Sequence, residues 1–234
     1  MLEAAVLKLF TRRAHVVALE DLNPGFRILT LGGEALRSSE WTPGDRIQIQ
    51  LGGWTQRTYT PLDWDRGQGT TRILVHLYGD GPGAHWAREA YAGAGCVLFG
   101  PRRSINLRKL AGPTLLFGDE TSLGLAAAFN AAMADSEPVR MLFEASVMDE
   151  SGPVIKRLGL RNASTIARQQ NDAHLLAVDD QILAWMDAHP ATQCVLTGKS
   201  TSIQQIRQLL RQHGVAAARI QTKAYWAPGK TGLD

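Results

Sequence analysis

Arg57-Thr58-Tyr59-Thr60 sets a guanidinium and a phenol two residues apart. In an extended strand Arg57 and Tyr59 share one face, and Thr58 and Thr60 share the other. A guanidinium can clamp a diphosphate through two parallel hydrogen bonds. A tyrosine ring can stack on a flat heterocycle, and a hydroxyl or amide near Thr60 is placed to reach a ring nitrogen. The same four residues also suit an edge strand with a solvent-facing Arg and a core Tyr. Further along runs Tyr78-Gly79-Asp80-Gly81-Pro82-Gly83-Ala84-His85-Trp86-Ala87. Its glycines let the backbone approach a ligand closely, and the helix start that follows exposes N–H groups suited to a pyrophosphate. Its plainer reading is a tight turn entering a helix, with Pro82 near the start.

A third stretch, Phe117-Gly118-Asp119-Glu120-Thr121, ends an apolar run and opens a helical pattern. That is the usual nucleotide turn of an open parallel sheet. Thr121 is suited to cap the helix and to bond a phosphate. The stretch is not a G-x-G-x-x-G fingerprint, so a plain strand-to-helix turn also accounts for it. Tyr225 and Trp226, flanked by small residues, suit either the face of a heterocycle or core packing. Glu144, Asp149 and Glu150 follow a strand pattern and are suited to ribose hydroxyls, whereas Arg161 or Arg168 would suit a 2′-phosphate. His76, His85 and His174 have no partner at metal-ligand spacing and are read as non-catalytic. Asp119 and Glu120 are adjacent and should point in different directions, which argues against a paired-carboxylate mechanism. No residue is assigned a catalytic or metal-ligating role.

Two kinds of element must position these residues. The first half reads as short strands broken by turns such as Asn23-Pro24-Gly25 and Thr42-Pro43-Gly44-Asp45: Ala4–Phe10, His15–Leu19, Phe26–Leu31, Arg46–Leu51, Arg57–Thr60, Arg72–Tyr78 and Cys96–Phe99. Arg46–Leu51 alternates, as a strand with one wet face does. Regular short strands predict a small antiparallel barrel, interrupted by one helix from about Gly83 to Tyr91. After Leu110-Ala111-Gly112-Pro113 the pattern changes to alternating strands and helices. Strands are predicted at Thr114–Phe117, Val139–Ala145, His174–Val178, Gln193–Thr197 and Arg219–Trp226. Helices are predicted at Thr121–Ala134, Asp179–Ala188 and Ser200–His213. The last of these carries Ile203, Ile206, Leu209 and Leu210 at helical spacing. The fold class is therefore β barrel plus α/β: an antiparallel barrel over 1–110, then an open parallel-sheet domain over 113–234.

The 234 residues are 44% apolar and 20% charged, the profile of a globular chain and not of a disordered one. Twenty-five Lys and Arg against 22 Asp and Glu give a net charge of +3. No long basic run concentrates it, so nucleic acid is not an expected partner. Cys96 and Cys194 sit in apolar runs without C-x-x-C spacing and read as buried small side chains. No stretch approaches the ~20 apolar residues of a membrane span. The start, MLEAAVLKLF, lacks a basic region and a cleavage site, so the expected location is the cytoplasm. The oligomeric state is left open.

Taken in order, Arg57-Thr58-Tyr59-Thr60, Gly79 to Ala87, Gly100-Pro101, Gly118-Asp119-Glu120-Thr121-Ser122-Leu123, Thr197-Gly198 with the helix after it, and Ala224-Tyr225-Trp226 with Gly229 resemble the siderophore-interacting proteins. The resemblance runs from about Val6 to Gly229. It implies a ferredoxin-reductase-like chain, with a FAD-binding barrel joined to a domain that docks NADPH or NADH, the resemblance leaning toward NADPH. It implies reduction of iron(III) in a siderophore, with a general flavin or ferric-chelate reductase, or a non-catalytic flavin-binding delivery module, as alternatives. The cofactor-binding residues it implies are Arg57, Thr58, Tyr59, Thr60, Tyr78, Gly79, Gly81, Pro82, Gly83 and Trp86 in the first half. In the second they are Gly118, Asp119, Thr121, Tyr225 and Trp226. This chain departs from the family at Tyr78, where His is usual, at Lys199, where Glu is common, and at Ala227, where an Arg serves anionic siderophores. Arg102, Arg103, Lys223 and Lys230 supply positive charge near those places and are the expected contacts for the ferric chelate.

Overall fold

The computed structural model describes residues 11–53, 55–133 and 137–230. The expected strand Ala4–Phe10 lies outside them. The chain divides into two compact units, Met1–Ser104 and Ile105–Asp234. Residues 105–112 thus belong with the second unit, where Ile105, Leu107 and Leu110 are buried and the Asn106 amide donates to Gln221 Oε1 at 2.9 Å.

The first unit is an antiparallel, barrel-like sheet. Its strands are β1 (Thr11–Asn23), β2 (Phe26–Gly32), β3 (Arg46–Gly52), β4 (Thr55–Tyr59), β5 (Pro61–Asp65), β6 (Thr70–His76) and β7 (Gly95–Arg102), ordered β4-β3-β7-β1-β2-β6-β5. A one-turn helix, α1 (Glu34–Arg37), follows β2, and α2 (Pro82–Glu89) follows β6. The alternation of β3 decides its packing: Ile47 and Ile49 are fully buried, while Gln48 and Gln50 stay half-exposed. Leu29, Leu31, Ile73, Val75 and Leu98 complete this core. The sheet ends at β4 and β5, consecutive strands joined through Thr60, so Arg57 and Tyr59 ride on an edge strand.

The second unit is an open parallel sheet of β8 (Thr114–Asp119), β9 (Val139–Ala145), β10 (Ala163–Ala167), β11 (Gln193–Lys199) and β12 (Ile220–Trp226), ordered β10-β9-β8-β11-β12. Its helices are α3 (Leu123–Ala132), α4 (Met148–Arg157), α5 (Leu175–Ala188) and α6 (Ser200–Gln212). All six residues of β8 are buried, as expected of a central strand covered on both faces. On α6, Ile203, Ile206 and Leu210 are buried and Leu209 half-buried. The chain adds β9 and β10 on one side of β8 and β11 and β12 on the other. The order therefore reverses between β8 and β11, and the crevice beyond their carboxyl ends is where ligands bind in such sheets.

The expected strand His174–Val178 is instead the entry to α5. Leu175, Val178, Ile182 and Met186 are its buried positions, a helical period and not a strand one. Four elements absent from the sequence reading are α1, β5, α4 and β10. Cys96 and Cys194 are buried free thiols, and burial pushes them up to about 11 and about 12. Among the described residues no helix is long and apolar enough to cross a membrane.

Candidate functional site

In the barrel, Arg57 and Tyr59 point to one face of β4, and the first turn of α2 lies against that face. A Cβ on Gly83 would sit 2.8 Å from Tyr59 Oη and 3.2 Å from Arg57 Cγ, so only glycine permits this approach. Trp86, one turn on, brings its ring to 6.4 Å from that of Tyr59 at an angle of 40°. Burial raises the Tyr59 phenol well above its ordinary range, so it stays neutral. Arg57 donates to the Gln56 carbonyl at 2.7 Å, and among the described residues no acid pairs with it. Each residue of the loop Tyr78-Gly79-Asp80-Gly81 before the helix is exposed, and added Cβ atoms at Gly79 and Gly81 would meet open space. Tyr78 stacks on His76 at 5.8 Å.

Two arginines that sequence reasoning missed hold this arrangement. Arg88 donates to the Leu77 and Gly79 carbonyls at 2.5 and 2.6 Å. Arg27 donates to the Ala87 carbonyl at 2.7 Å, close to the C-terminal end of α2. Its other side forms a two-point pair with Asp21, whose carboxyl is lowered chiefly by those hydrogen bonds. Neither role is visible in sequence, because each acceptor is a backbone carbonyl.

The geometry has an electrostatic signature. The N-terminus of α2 carries the positive end of the helix dipole and N–H groups without intrahelical acceptors. The Arg57 stem packs against this turn, and a guanidinium brought beside it is unfavourable unless an anion lies between. A diphosphate satisfies both, with the Tyr59 and Trp86 rings as an apolar wall for a heterocycle. These residues fit a flavin dinucleotide.

Gly100-Pro101 forms a cis corner in β7, and Arg12 donates to the Gly100 carbonyl at 2.7 Å. Just beyond it, Arg102 and Arg103 are exposed. Arg102 lies directly opposite Arg46 of β3, and the Arg46 Nη1 is buried with no hydrogen-bond partner. Like charges facing each other across two strands are unfavourable by themselves. Sequence reasoning missed Arg46, whose significance depends on strand register. In the second unit Lys223 is half-buried on β12 and Lys230 is exposed.

At the carboxyl edge of the parallel sheet the acids diverge as expected. Asp119 turns toward Trp226, whose indole nitrogen donates to Oδ2 at 2.6 Å, and accepts from the Thr121 amide at 2.9 Å. Asp119, and not Thr121, is thus the cap of the turn Glu120–Ser122 that leads into α3. Gly198 has φ +96°, and a Cβ there would fall 2.5 Å from Asp119 Oδ2, so β11 and Asp119 meet only through a glycine. Burial pushes the Asp119 carboxyl up to about 6, against the lowering effect of its bond from Thr121. Glu120 turns the other way, to Arg168 at 2.9 Å and to the Ser146 amide. Burial raises it, but these partners outweigh burial and leave it below its ordinary value.

Arg168 also lies 3.6 Å from Glu144. Glu144 is fully buried, and accepts from His174 Nε2 at 2.7 Å and from Ser202 Oγ at 3.0 Å. The Gln169 amide donates to His174 Nδ1, which fixes the proton on Nε2. Glu144 is therefore not available to a ribose, contrary to the sequence expectation. Arg161 is held by Asn130 at 3.1 Å. Lys199 pairs with Asp172, and the Lys199 and Arg168 cations lie 6.0 and 5.6 Å from the Trp226 ring centre. Among the described residues no group of His, Cys, Asp or Glu is arranged to hold a metal ion.

Comparison with solved structures places both units. The siderophore-interacting protein SipS from Aeromonas hydrophila superposes with a TM-score of 0.79 at 19% identity, over 94% of this chain and 93% of that one. A siderophore utilization protein from T. fusca gives 0.74 at 20% identity, over 96% and 95%. The ferredoxin reductase in carbazole 1,9a-dioxygenase gives 0.73 at 19% identity, over 92% of this chain and 68% of that one. At these identities the likeness establishes the fold, which is ferredoxin-reductase-like. Family models go further: residues 53–105 match the siderophore-interacting FAD-binding domain, and residues 111–229 match the siderophore-interacting protein model. The matched stretches contain the Arg57–Tyr59 strand, the α2 loop, the Asp119 turn and Trp226, and with them this chain belongs to the siderophore-interacting protein family.

Proposed function

We propose that this chain is an FAD-dependent reductase that uses NAD(P)H to reduce iron(III) in a siderophore or other ferric chelate and release iron(II). The observation that carries the reading is the packing of the Arg57 stem and the Tyr59 phenol against Gly83 in the first turn of α2, in a chain of this family. FAD, when held there, would supply the redox chemistry between a two-electron hydride donor and a one-electron iron acceptor. Arg57 and the N–H groups of the first turn of α2 hold the diphosphate. Tyr59 and Trp86 fix the heterocycle and exclude water from it, with Thr58, Thr60, Tyr78, Gly79, Gly81, Pro82 and Gly83 shaping the rest of the cradle. Gly118, Asp119, Thr121, Tyr225 and Trp226 border the crevice proposed for the nucleotide. One hydride reduces two iron(III) ions, and hydroxamate, catecholate or carboxylate oxygens hold the less charged iron(II) more weakly.

On the first unit Arg102 and Arg103 are proposed contacts for an anionic chelate, with Arg46 facing Arg102 through strand register, and on the second unit Lys223 and Lys230 are proposed separately for the same role. A general ferric-chelate reductase is the second reading. It is favoured by Ala227, where the family carries an arginine that serves anionic siderophores.

The purified protein should be yellow or become so with FAD. Under anaerobic conditions NADPH or NADH should bleach the flavin band, and a ferric chelate should restore it. Failure to bind FAD below about millimolar concentration would remove the flavin reading. Bleaching without recovery on adding chelate would remove the ferric one. Arg57→Ala should weaken FAD by about 1.5–3 kcal/mol, the scale of a charge-assisted hydrogen bond, with the circular dichroism unchanged. Equal affinity in titrations of the two proteins would place the diphosphate elsewhere.

A further inference from the structure

The carboxyl edge of the parallel sheet is rich in acid. Asp119 ends β8 and Glu120 follows it, Glu144 lies near the end of β9, Asp149 and Glu150 occupy the first turn of α4, and Asp172 follows β10. Around β8 to β11 the cations described on this edge are Arg168 and Lys199, and both are in ion pairs. Lys230 lies past β12, across β8 and β11 from β9. Lys156 and Arg157 sit in the last turn of α4, which runs back toward the opposite edge.

In sheets of this kind the adenosine ribose lies beyond the strand next to the first one, here β9. A 2′-phosphate there needs a free arginine or lysine. Arg168 is the cation in reach, and it is engaged: its guanidinium pairs with Glu120 at 2.9 Å and with Glu144 at 3.6 Å and donates to Ser146 Oγ, while its own side chain is largely buried. Drawing it out to a phosphate would strand two buried carboxylates. By contrast, Asp149 is exposed on the first turn after β9 and has the acceptor oxygens that ribose hydroxyls need.

We infer that this crevice rejects the 2′-phosphate and takes NADH as its donor, with Asp149 as ribose acceptor and Glu120 and Glu144 withholding Arg168. The inference rests on the reading of this unit as the NAD(P)H-binding one. Ser146 is the place to test it, being exposed directly beyond β9.

On the FAD-loaded protein, calorimetric titration should show NAD⁺ binding about tenfold or more tighter than NADP⁺, the scale of a few unscreened like-charge pairs. Anaerobic bleaching at low nucleotide should favour NADH over NADPH in the same sense. Ser146→Arg should raise NADP⁺ affinity about tenfold through a new phosphate contact and leave NAD⁺ within about twofold. Asp149→Ala should weaken NAD⁺ several-fold. Circular dichroism of both variants checks that the fold is retained. Equal or tighter binding of NADP⁺ by the unaltered protein overturns the inference, and so does indifference of both variants. If neither nucleotide binds or bleaches the flavin, the assignment of this unit as the donor domain falls, and the inference with it.

Discussion

Glu144→Ala should cost the second unit about 3–5 kcal/mol, the scale seen when one partner is removed from a buried charge network. The reason is the number of donors that converge on this carboxylate. His174 Nε2 and Ser202 Oγ donate to it, Arg168 lies 3.6 Å away, and all but the guanidinium are fully enclosed. Alanine leaves an imidazole N–H and a hydroxyl without acceptors and half of Arg168 uncompensated. Domain stability is typically 5–15 kcal/mol, so much of the margin goes. Glu144→Gln keeps an acceptor oxygen and should lose less. Urea unfolding followed by far-ultraviolet circular dichroism measures both, and an alanine variant within about 1 kcal/mol of the parent would show that the network is dispensable.

The second large effect is a pH dependence that runs against the usual carboxylate pattern. Burial raises Asp119 from an ordinary 3.8 to about 6 in the folded chain. Between those values the unfolded chain has released the proton and the folded chain still binds it. The folded state then holds more protons, so stability falls as pH rises from about 4 to about 6. Two pH units at 1.36 kcal/mol each give roughly 3 kcal/mol as the upper bound. Glu120 and Asp172 are lowered, so their stabilisation is complete above the ordinary carboxylate range and is lost only as pH falls below it. Asp119→Asn should flatten the slope between pH 4.5 and 6 while lowering the overall level, because an amide cannot accept from both Thr121 and Trp226. An unchanged slope would mean that Asp119 does not hold its proton in the fold.

The parts of this molecule that were legible in the sequence are those that local pattern controls. Ile47 and Ile49 alternate with Gln48 and Gln50, and that strand is where it should be. Arg57 and Tyr59 share a face because a strand has period two. What failed has identifiable causes. β5 begins with Pro61, which is tolerated at the first residue of an edge strand but reads as a breaker. α4 contains Gly152 and Pro153 within ten residues. Leu175 to Val178 is a short apolar run, and such a run does not distinguish a strand from one turn of a buried helix. The network of Glu120, Glu144, Arg168 and His174 joins residues 24 to 48 positions apart. Only the parallel register of β8, β9 and β10 brings them to one edge, and that register is not written in any local spacing.

Arg88 and Arg27 have a kinetic consequence. By tying the Leu77 and Gly79 carbonyls to α2, and α2 to β2, they order the glycine loop within the fold itself. Fixing a residue's backbone costs about 1–2 kcal/mol, and here that cost falls on folding and not on ligand capture. On the proposed reading, an incoming dinucleotide meets a cradle whose loop is already tied to the fold. Its association is then governed by diffusion and by steering from Arg57 and the helix end. Differences in affinity among cradle variants are thereby differences in how long the dinucleotide stays.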